Sequence, residues 1–129
     1  MAALLLDTHA LLWWMAGDRR LSAKAREAIA DEANEVFVSA ATTWEVATKI
    51  RIGKLPAPTL AGGGLTRAIT AQGFETIAIT ADHGERAGSL RGAHRDPFDR
   101  MLIAQAQAEA MAIVSNETVF DEFGVTRIW

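Results

Sequence analysis

Residues 2–17 read AALLLDTHALLWWMAG, and the stretch can be taken in two ways. An apolar run of this kind serves either as a secretory leader or as the first strand and helix of a buried core. A leader needs a basic segment ahead of its apolar centre; none is present, and Asp7 and His9 interrupt the run. The strand-and-helix reading accounts for more. Residues 2–6 form a short apolar run without helical spacing, the charge at Asp7 stops it, and THALLWWMAG follows as a helix closed by Gly17.

The same alternation continues along the chain. SAKAREAIADEA (22–33) predicts a helix capped by Ser22, with Ala25, Ala28 and Ile29 on one face. EVFVSA (35–40) holds the β-formers Val36, Phe37 and Val38, and TTWEVATKIRIGKL (42–55) repeats its apolar residues at helical intervals. PAPTLAGGG (56–64) is the one clear break and reads as a surface loop. Beyond it come a helix over 65–72, a strand over ETIAIT (75–80) and a helix near ADHGERAGSL (81–90). HRDPFDR (94–100) then opens a long helix to about Ala110, MAIVSN (111–116) forms a fourth strand, TVFDEF a short helical turn and VTRIW a last strand. Strands separated by helices predict a single domain over 1–129, a three-layer α/β/α sandwich around a mostly parallel sheet, because parallel neighbours need helical crossovers.

Composition narrows the function less than the pattern does. A net charge of −3 advertises neither a nucleic acid nor a membrane partner, although a balanced total can hide a local patch. The absence of cysteine removes disulfides, thiolate metal sites and cysteine nucleophiles, and agrees with a reducing compartment. No stretch has the roughly 18 uninterrupted apolar residues of a membrane span. A soluble, cytoplasmic protein is the expectation.

In parallel α/β sheets the working edge is where strands end and helices begin. Four separate segments deliver a carboxylate there: Asp7 after the first strand, Glu45 one turn into the helix after the second, Asp99 at the start of the long helix, and Glu117 after the fourth strand. Thr8, Ser39, Thr42, Asp96 and Asn116 lie close by as supporting groups. Carboxylates crowded together repel one another, and a divalent cation relieves them; oxygen-only ligation suits Mg²⁺, or Mn²⁺, better than zinc. Such a site suits metal-assisted phosphodiester hydrolysis.

Each residue also has a plainer explanation. Asp96 before Pro97 is the expected helix cap. Asp99 reads equally as a stabiliser of the helix dipole or as a ligand. Asp7 or Thr8 can cap the first helix, Glu45 can pair with Lys49 four residues on, and Glu117 can be an ordinary surface residue. His9 reads more readily as a packing or capping residue than as a base, and His83 and His94 lack ligand-like spacing. Trp13, Trp14 and Trp44 lie among apolar helical positions, which favours packing or a subunit interface over base stacking. Lys49, Arg95 and Arg100 are candidates to hold phosphates beside the metal, with Arg51, Lys54 and Arg91 as further cations; a solvated face is the alternative for all of them.

With those residues placed, the chain resembles the PIN-domain family, and within it the VapC toxins of type II toxin–antitoxin pairs. LLLDTHALLWW, VSAATTWEVATKIRIGKL, HRDPFDRMLIAQA and IVSNETVFDEFGV occur in the family's order and spacing. Matched by position, Asp7 is the first metal-binding aspartate, Glu45 the glutamate of the acidic set, and Asp99 the ligand that follows Asp96 and its proline. The fourth acidic position is usually an aspartate after Val-Thr; here VSNE makes Glu117 the match, with Asn116 and Asp121 as alternatives. The resemblance implies a parallel sandwich, Mg²⁺ at the acidic residues, endonucleolytic cleavage of RNA, a homodimer, and a cognate antitoxin protein covering the active edge. Two other classes compete: a catalytically silent PIN-like binding module, and a receiver-like Mg²⁺-binding signalling domain, disfavoured because no lysine follows Lys54.

Overall fold

The computed structural model describes residues 2–56 and 63–129. Most of the expected proline- and glycine-rich loop, residues 57–62, lies outside them. Five strands form one sheet: β1 (Ala3–Leu6), β2 (Glu35–Ser39), β3 (Glu75–Ile77), β4 (Ala112–Val114) and β5 (Arg127–Ile128). Every pairing is parallel and the order is β3-β2-β1-β4-β5. Helices α1 (Thr8–Ala16), α2 (Ala23–Ala30), α3 (Ala40–Arg51), α4 (Leu65–Ala71), α5 (Ala81–Ser89) and α6 (Pro97–Glu109) connect the strands, and a 3-10 turn over Thr118–Phe123 leads into β5.

The expected sandwich is therefore present, with a sheet that is wholly parallel. Its strand order also separates it from the doubly wound order 2-1-3-4-5 of receiver domains, which removes the signalling alternative on topology.

β1 explains the layers. It lies between β2 and β4, and Leu4, Leu5 and Leu6 are completely buried. Successive side chains of a strand point to opposite faces. Leu4 and Leu6 pack with Leu11, Ile29, Val38, Val46 and Ile69 from the region of α1 to α4. Leu5 packs on the other face with Leu102, Ile103, Ile113 and Phe120. A strand buried on both faces is written as a continuous apolar run rather than an alternating one, as LLL is here.

β3 is shorter than ETIAIT predicts. It is an edge strand whose three residues pair with Phe37, Val38 and Ser39, and β2 ends at Ser39, so Ala78 to Thr80 have no neighbour to extend the ladder. Helix boundaries follow the local chemistry. Ser22 accepts the Ala25 amide at the start of α2, and Gly17 closes α1 in the left-handed conformation (φ 64°) that glycine adopts most readily. Among the described residues, no helix is long and apolar enough to cross a membrane.

Candidate active site

β1 and β4 run side by side and in register, Leu6 against Val114, so the residues that follow them, Asp7 and Ser115, leave the sheet at equivalent points. Asp7 is extended (φ −78°, ψ 174°), donates its own amide to the Val114 carbonyl at 3.1 Å, and accepts the Ala10 amide on Oδ1 at 2.8 Å. One aspartate thus ends a strand and caps a helix. Only 5% of it is exposed, and burial pushes its carboxyl up to about 6. The negative charge of Asp99 pushes the same way, while the Ser115 hydroxyl, the Ala10 amide and His9 pull it partly back.

Asp99 reaches the edge from α6. Asp96 caps that helix, its Oδ1 accepting the amides of Phe98 at 2.9 Å and Asp99 at 3.2 Å, and Pro97 takes a first-turn position whose amide would have no helical partner. Asp99 is then set in the first turn, with Oδ2 2.8 Å from His94 Nε2. Burial pushes its carboxyl above the usual carboxylate range. The His94 contact opposes that rise, and the charges of Asp96 and Glu45 add to it.

Glu45 arrives from α3, a helix capped by Ser39, whose hydroxyl accepts the Ala41 amide at 3.0 Å. Its carboxylate is buried and held at both oxygens. Oε1 accepts the Thr8 hydroxyl at 2.5 Å and Oε2 takes the Lys49 ammonium at 2.6 Å. Thr42 is buried nearby in the chain, and its hydroxyl has no hydrogen-bond partner among the described residues.

Glu117 makes no side-chain hydrogen bond or ion pair with this group among the described residues. Ser115 Oγ accepts the Glu117 amide at 2.9 Å and the chain turns directly into the 3-10 segment, leaving Glu117 exposed. Asn116 is likewise exposed, and Asp121 is occupied by Arg127 at 2.9 Å. The neighbour that Asp7 does gain from this region is Ser115, wholly buried. Its place one residue past a buried strand, matching that of Asp7, is the signal by which sequence reasoning can find it. His94 is the other residue missed, since its contact with Asp99 depends on a loop geometry that spacing does not encode.

The cations divide sharply. Lys49 is committed to Glu45. Arg100 is a correction to the phosphate-binding expectation: its guanidinium donates to the carbonyls of Ala87 (3.2 Å), Leu90 and His94 (2.8 Å), so it holds the segment before α6 in place. Arg95 is exposed and has no hydrogen-bonded partner among the described residues, which leaves it the one available cation of the three. His83 forms a capping box with Thr80 and meets Glu109 at 3.0 Å, a structural role away from the acidic edge. His9 is exposed and stacks on Trp13 at 5.3 Å, and Trp13 in turn packs against Trp129. Trp44 is not packed in the core: it is 61% exposed, edge-on to Phe98 at 4.9 Å, which leaves the subunit-interface half of its expectation open.

Among the described residues, no three Asp, Glu or His side chains are gathered tightly enough to hold a metal ion between them. The acidic edge is therefore made of Asp7 and Asp99, within electrostatic reach of each other and of Glu45, a glutamate that already has a cation. The pair is short of positive charge. A desolvated carboxylate held near 6 by burial and a like neighbour gains from any cation placed against it, and an all-oxygen donor set fits a hard divalent ion.

Comparison with known proteins bears on the whole chain. The family model for the PIN domain matches residues 4–125. Ribonuclease VapC22 of Mycobacterium tuberculosis is 29% identical over 118 residues, which span 91% of this chain and 88% of that protein. Among solved structures, DNA-bound VapBC from Salmonella typhimurium superposes with a TM-score of 0.72 at 18% identity, covering 98% of this chain and 97% of that one. VapBC2 from Rickettsia felis, bound to a promoter DNA fragment, gives 0.70 at 17% identity over 97% and 96% of the two chains. VapC20 of M. tuberculosis, described as a sarcin-ricin loop cleaving toxin, gives 0.63 at 18% over 95% and 96%. At these identities the structural likenesses speak for the fold.

Proposed function

The chain belongs to the PIN-domain family, and from that premise we propose that it is a Mg²⁺-dependent endoribonuclease, the toxin of a VapBC-type toxin–antitoxin pair acting in the cytoplasm. The observation that carries the reading is the placement of buried Asp7 directly after β1 and of Asp99 in the first turn of α6, within electrostatic reach of each other, with burial pushing both carboxyls above their ordinary range. Similarity to Ribonuclease VapC22 supports the reaction class, and the VapBC complexes among the structural likenesses support an antitoxin partner.

Asp7 and Asp99 would hold the metal, Mg²⁺ or Mn²⁺. When bound, it supplies Lewis acidity at the phosphodiester and a more acidic water. The chain's own part is positioning. The α1 cap fixes one oxygen of Asp7, the Asp96–Pro97 start sets Asp99 on the same edge, and Ser115 and His94 orient the two carboxylates. Glu45 adds a third negative charge, kept in place by Thr8 and Lys49. Arg95, on the loop before α6, is the residue suited to an RNA phosphate.

A homodimer is part of the same reading. It is supported by the exposed Trp44 and Ile79, which with Phe98 and Met101 line an apolar groove of about 310 Å³ on the faces of α3 and α6. The test is RNA cleavage by purified protein with Mg²⁺ and with EDTA, for the wild type and for Asp7→Asn and Asp99→Asn. Loss of cleavage in EDTA and in both folded variants is expected. Undiminished cleavage by either variant would defeat the mechanism, and an inactive, metal-blind wild type would leave the chain as the silent binding module.

A further inference from the structure

We propose that the exposed His9 ring, stacked on Trp13 at the start of α1, is a platform for one unpaired nucleobase of the RNA substrate, set beside the acidic edge. This role rests on the ribonuclease reading above and names the part of the substrate that this flank of the site holds.

The platform is built outward from the core. His9 and Trp13 are four residues apart on α1, a spacing that puts their side chains one above the other on one helix face. Their ring centroids lie 5.3 Å apart with the planes 15° from parallel, the offset-stacked arrangement that π systems favour. Trp13 is itself held. Its indole meets Trp129 at 5.8 Å and 55°, both rings pack against the buried core, and the Arg20 guanidinium, paired with Asp18, lies 5.1 Å from the Trp13 centroid. The inner ring is therefore fixed by its neighbours. The outer one, His9, is exposed and makes no hydrogen bond or ion pair among the described residues.

Its place along the helix gives the ring its occupant. Asp7 caps α1, the Thr8 hydroxyl goes to Glu45, and His9 comes next on the solvent side, close enough for its charge to be felt at the Asp7 carboxyl. An RNA strand whose phosphodiester lies at Asp7 can lay a flanking base on this ring. Single-stranded RNA is commonly held in that way, its bases splayed out and stacked on aromatic side chains, histidine among them. Because the rings are stacked before RNA arrives, little side-chain freedom is lost on binding. Every base has a π face, so a platform of this kind favours unpaired over duplex RNA and does not select a sequence.

The experiment has two readouts, both on the full chain. Adenosine 5′-monophosphate is titrated into the wild type, with ribose 5-phosphate as the base-free control, and the histidine ring protons are followed by NMR; His9→Phe identifies the His9 signals among the three histidines. An upfield shift of the His9 protons with the nucleotide, and none with the control, is expected. Cleavage of a single-stranded RNA in Mg²⁺ is then compared for wild type, His9→Ala and His9→Phe, with folding checked by circular dichroism. For His9→Ala, KM should rise about tenfold, the scale of losing one stacked base, with kcat falling less than about threefold, and His9→Phe, which keeps a flat ring, should bring KM back to within about threefold of wild type. No base-dependent shift, an unchanged KM in folded His9→Ala, or a raised KM that His9→Phe fails to restore overturns the platform, makes His9 a packing residue or a protein contact, and leaves the ribonuclease reading standing. A wild type that cleaves no RNA overturns the ribonuclease reading, and the base-dependent shift then decides by itself whether His9 receives a nucleobase.

Discussion

Helices α1 and α6 begin with the same device, an aspartate whose carboxylate accepts amides of the following turn, yet the two aspartates end up in different chemical states. Asp96 spends one oxygen on two amides and stays half-buried at the surface. Asp7 spends one oxygen on a single amide, is almost fully buried, and has Asp99 beside it. A cap satisfied by the helix is finished by local structure. A cap sunk beneath the sheet edge with a like charge nearby is left needing something more, and that residual need is what distinguishes a structural carboxylate from a reactive one.

The comparison can be broken in several places. The largest effect is expected for Asp7→Asn, which keeps a good capping group but removes the charge. Cleavage of RNA in Mg²⁺ should fall by roughly a thousandfold or more, the scale of losing a preorganised electrostatic partner, as measured by single-turnover assays on a folded variant.

The same substitution should have the opposite effect on stability. Asp7 ionises near 3.8 in the unfolded chain and near 6 in the folded one. Between those values the folded state holds the extra proton, so metal-free stability falls as pH rises through the window and stays low above it. The full difference is about 3 kcal/mol. Urea unfolding in EDTA should show the wild type losing stability between about pH 4 and 6. Metal-free Asp7→Asn should lack most of that slope and be the more stable protein at pH 7; an unchanged slope would mean that Asp7 is not the group that titrates.

Asp96→Ala should cost about 1 kcal/mol of stability through the lost cap, visible as a lower urea midpoint, and should reduce cleavage by less than tenfold in the fraction that stays folded. A loss as deep as that of Asp7→Asn would place Asp96 among the reacting groups and erase the distinction. The smallest effect belongs to Glu117→Gln: with its side chain in solvent, stability should change by no more than about 0.5 kcal/mol and cleavage should stay near wild type. A large loss would mean that the turn after β4 rearranges when RNA binds.

Much of this was legible in the sequence because it is local. The LLL run, the caps at Ser22 and Asp96, and the glycine stop of α1 each report their own element, and the alternation of elements yields the parallel sheet. Asp7 and Asp99 follow from the same logic, since a strand end and a helix start are positions along the chain. What escaped depends on direction. Which of Ser115 and Glu117 contacts Asp7 depends on the turn between β4 and the 3-10 segment, and a carboxylate three residues beyond a strand carries no mark of which way that turn sends it. Arg95 and Arg100 look alike in composition, yet one stands in solvent and one ties down main-chain carbonyls, whereas the i,i+4 pairing of Lys49 with Glu45 could be read from their spacing. The truncation of β3 likewise depended on where its neighbour β2 runs out.

The Arg100 tie has a consequence outside chemistry at the acidic edge. Arg91 and Arg95 stand exposed on the short segment between α5 and α6, the kind of site a trypsin-like protease cuts. Such enzymes must draw several residues of their target into an extended line. With the carbonyls of Leu90 and His94 anchored to the half-buried Arg100 guanidinium, that line cannot form without first releasing Arg100. The segment that carries His94 to Asp99 is thereby also a stretch that should survive digestion for as long as α6 stays folded, and resistance to nicking there becomes an inexpensive report on whether the active edge is intact.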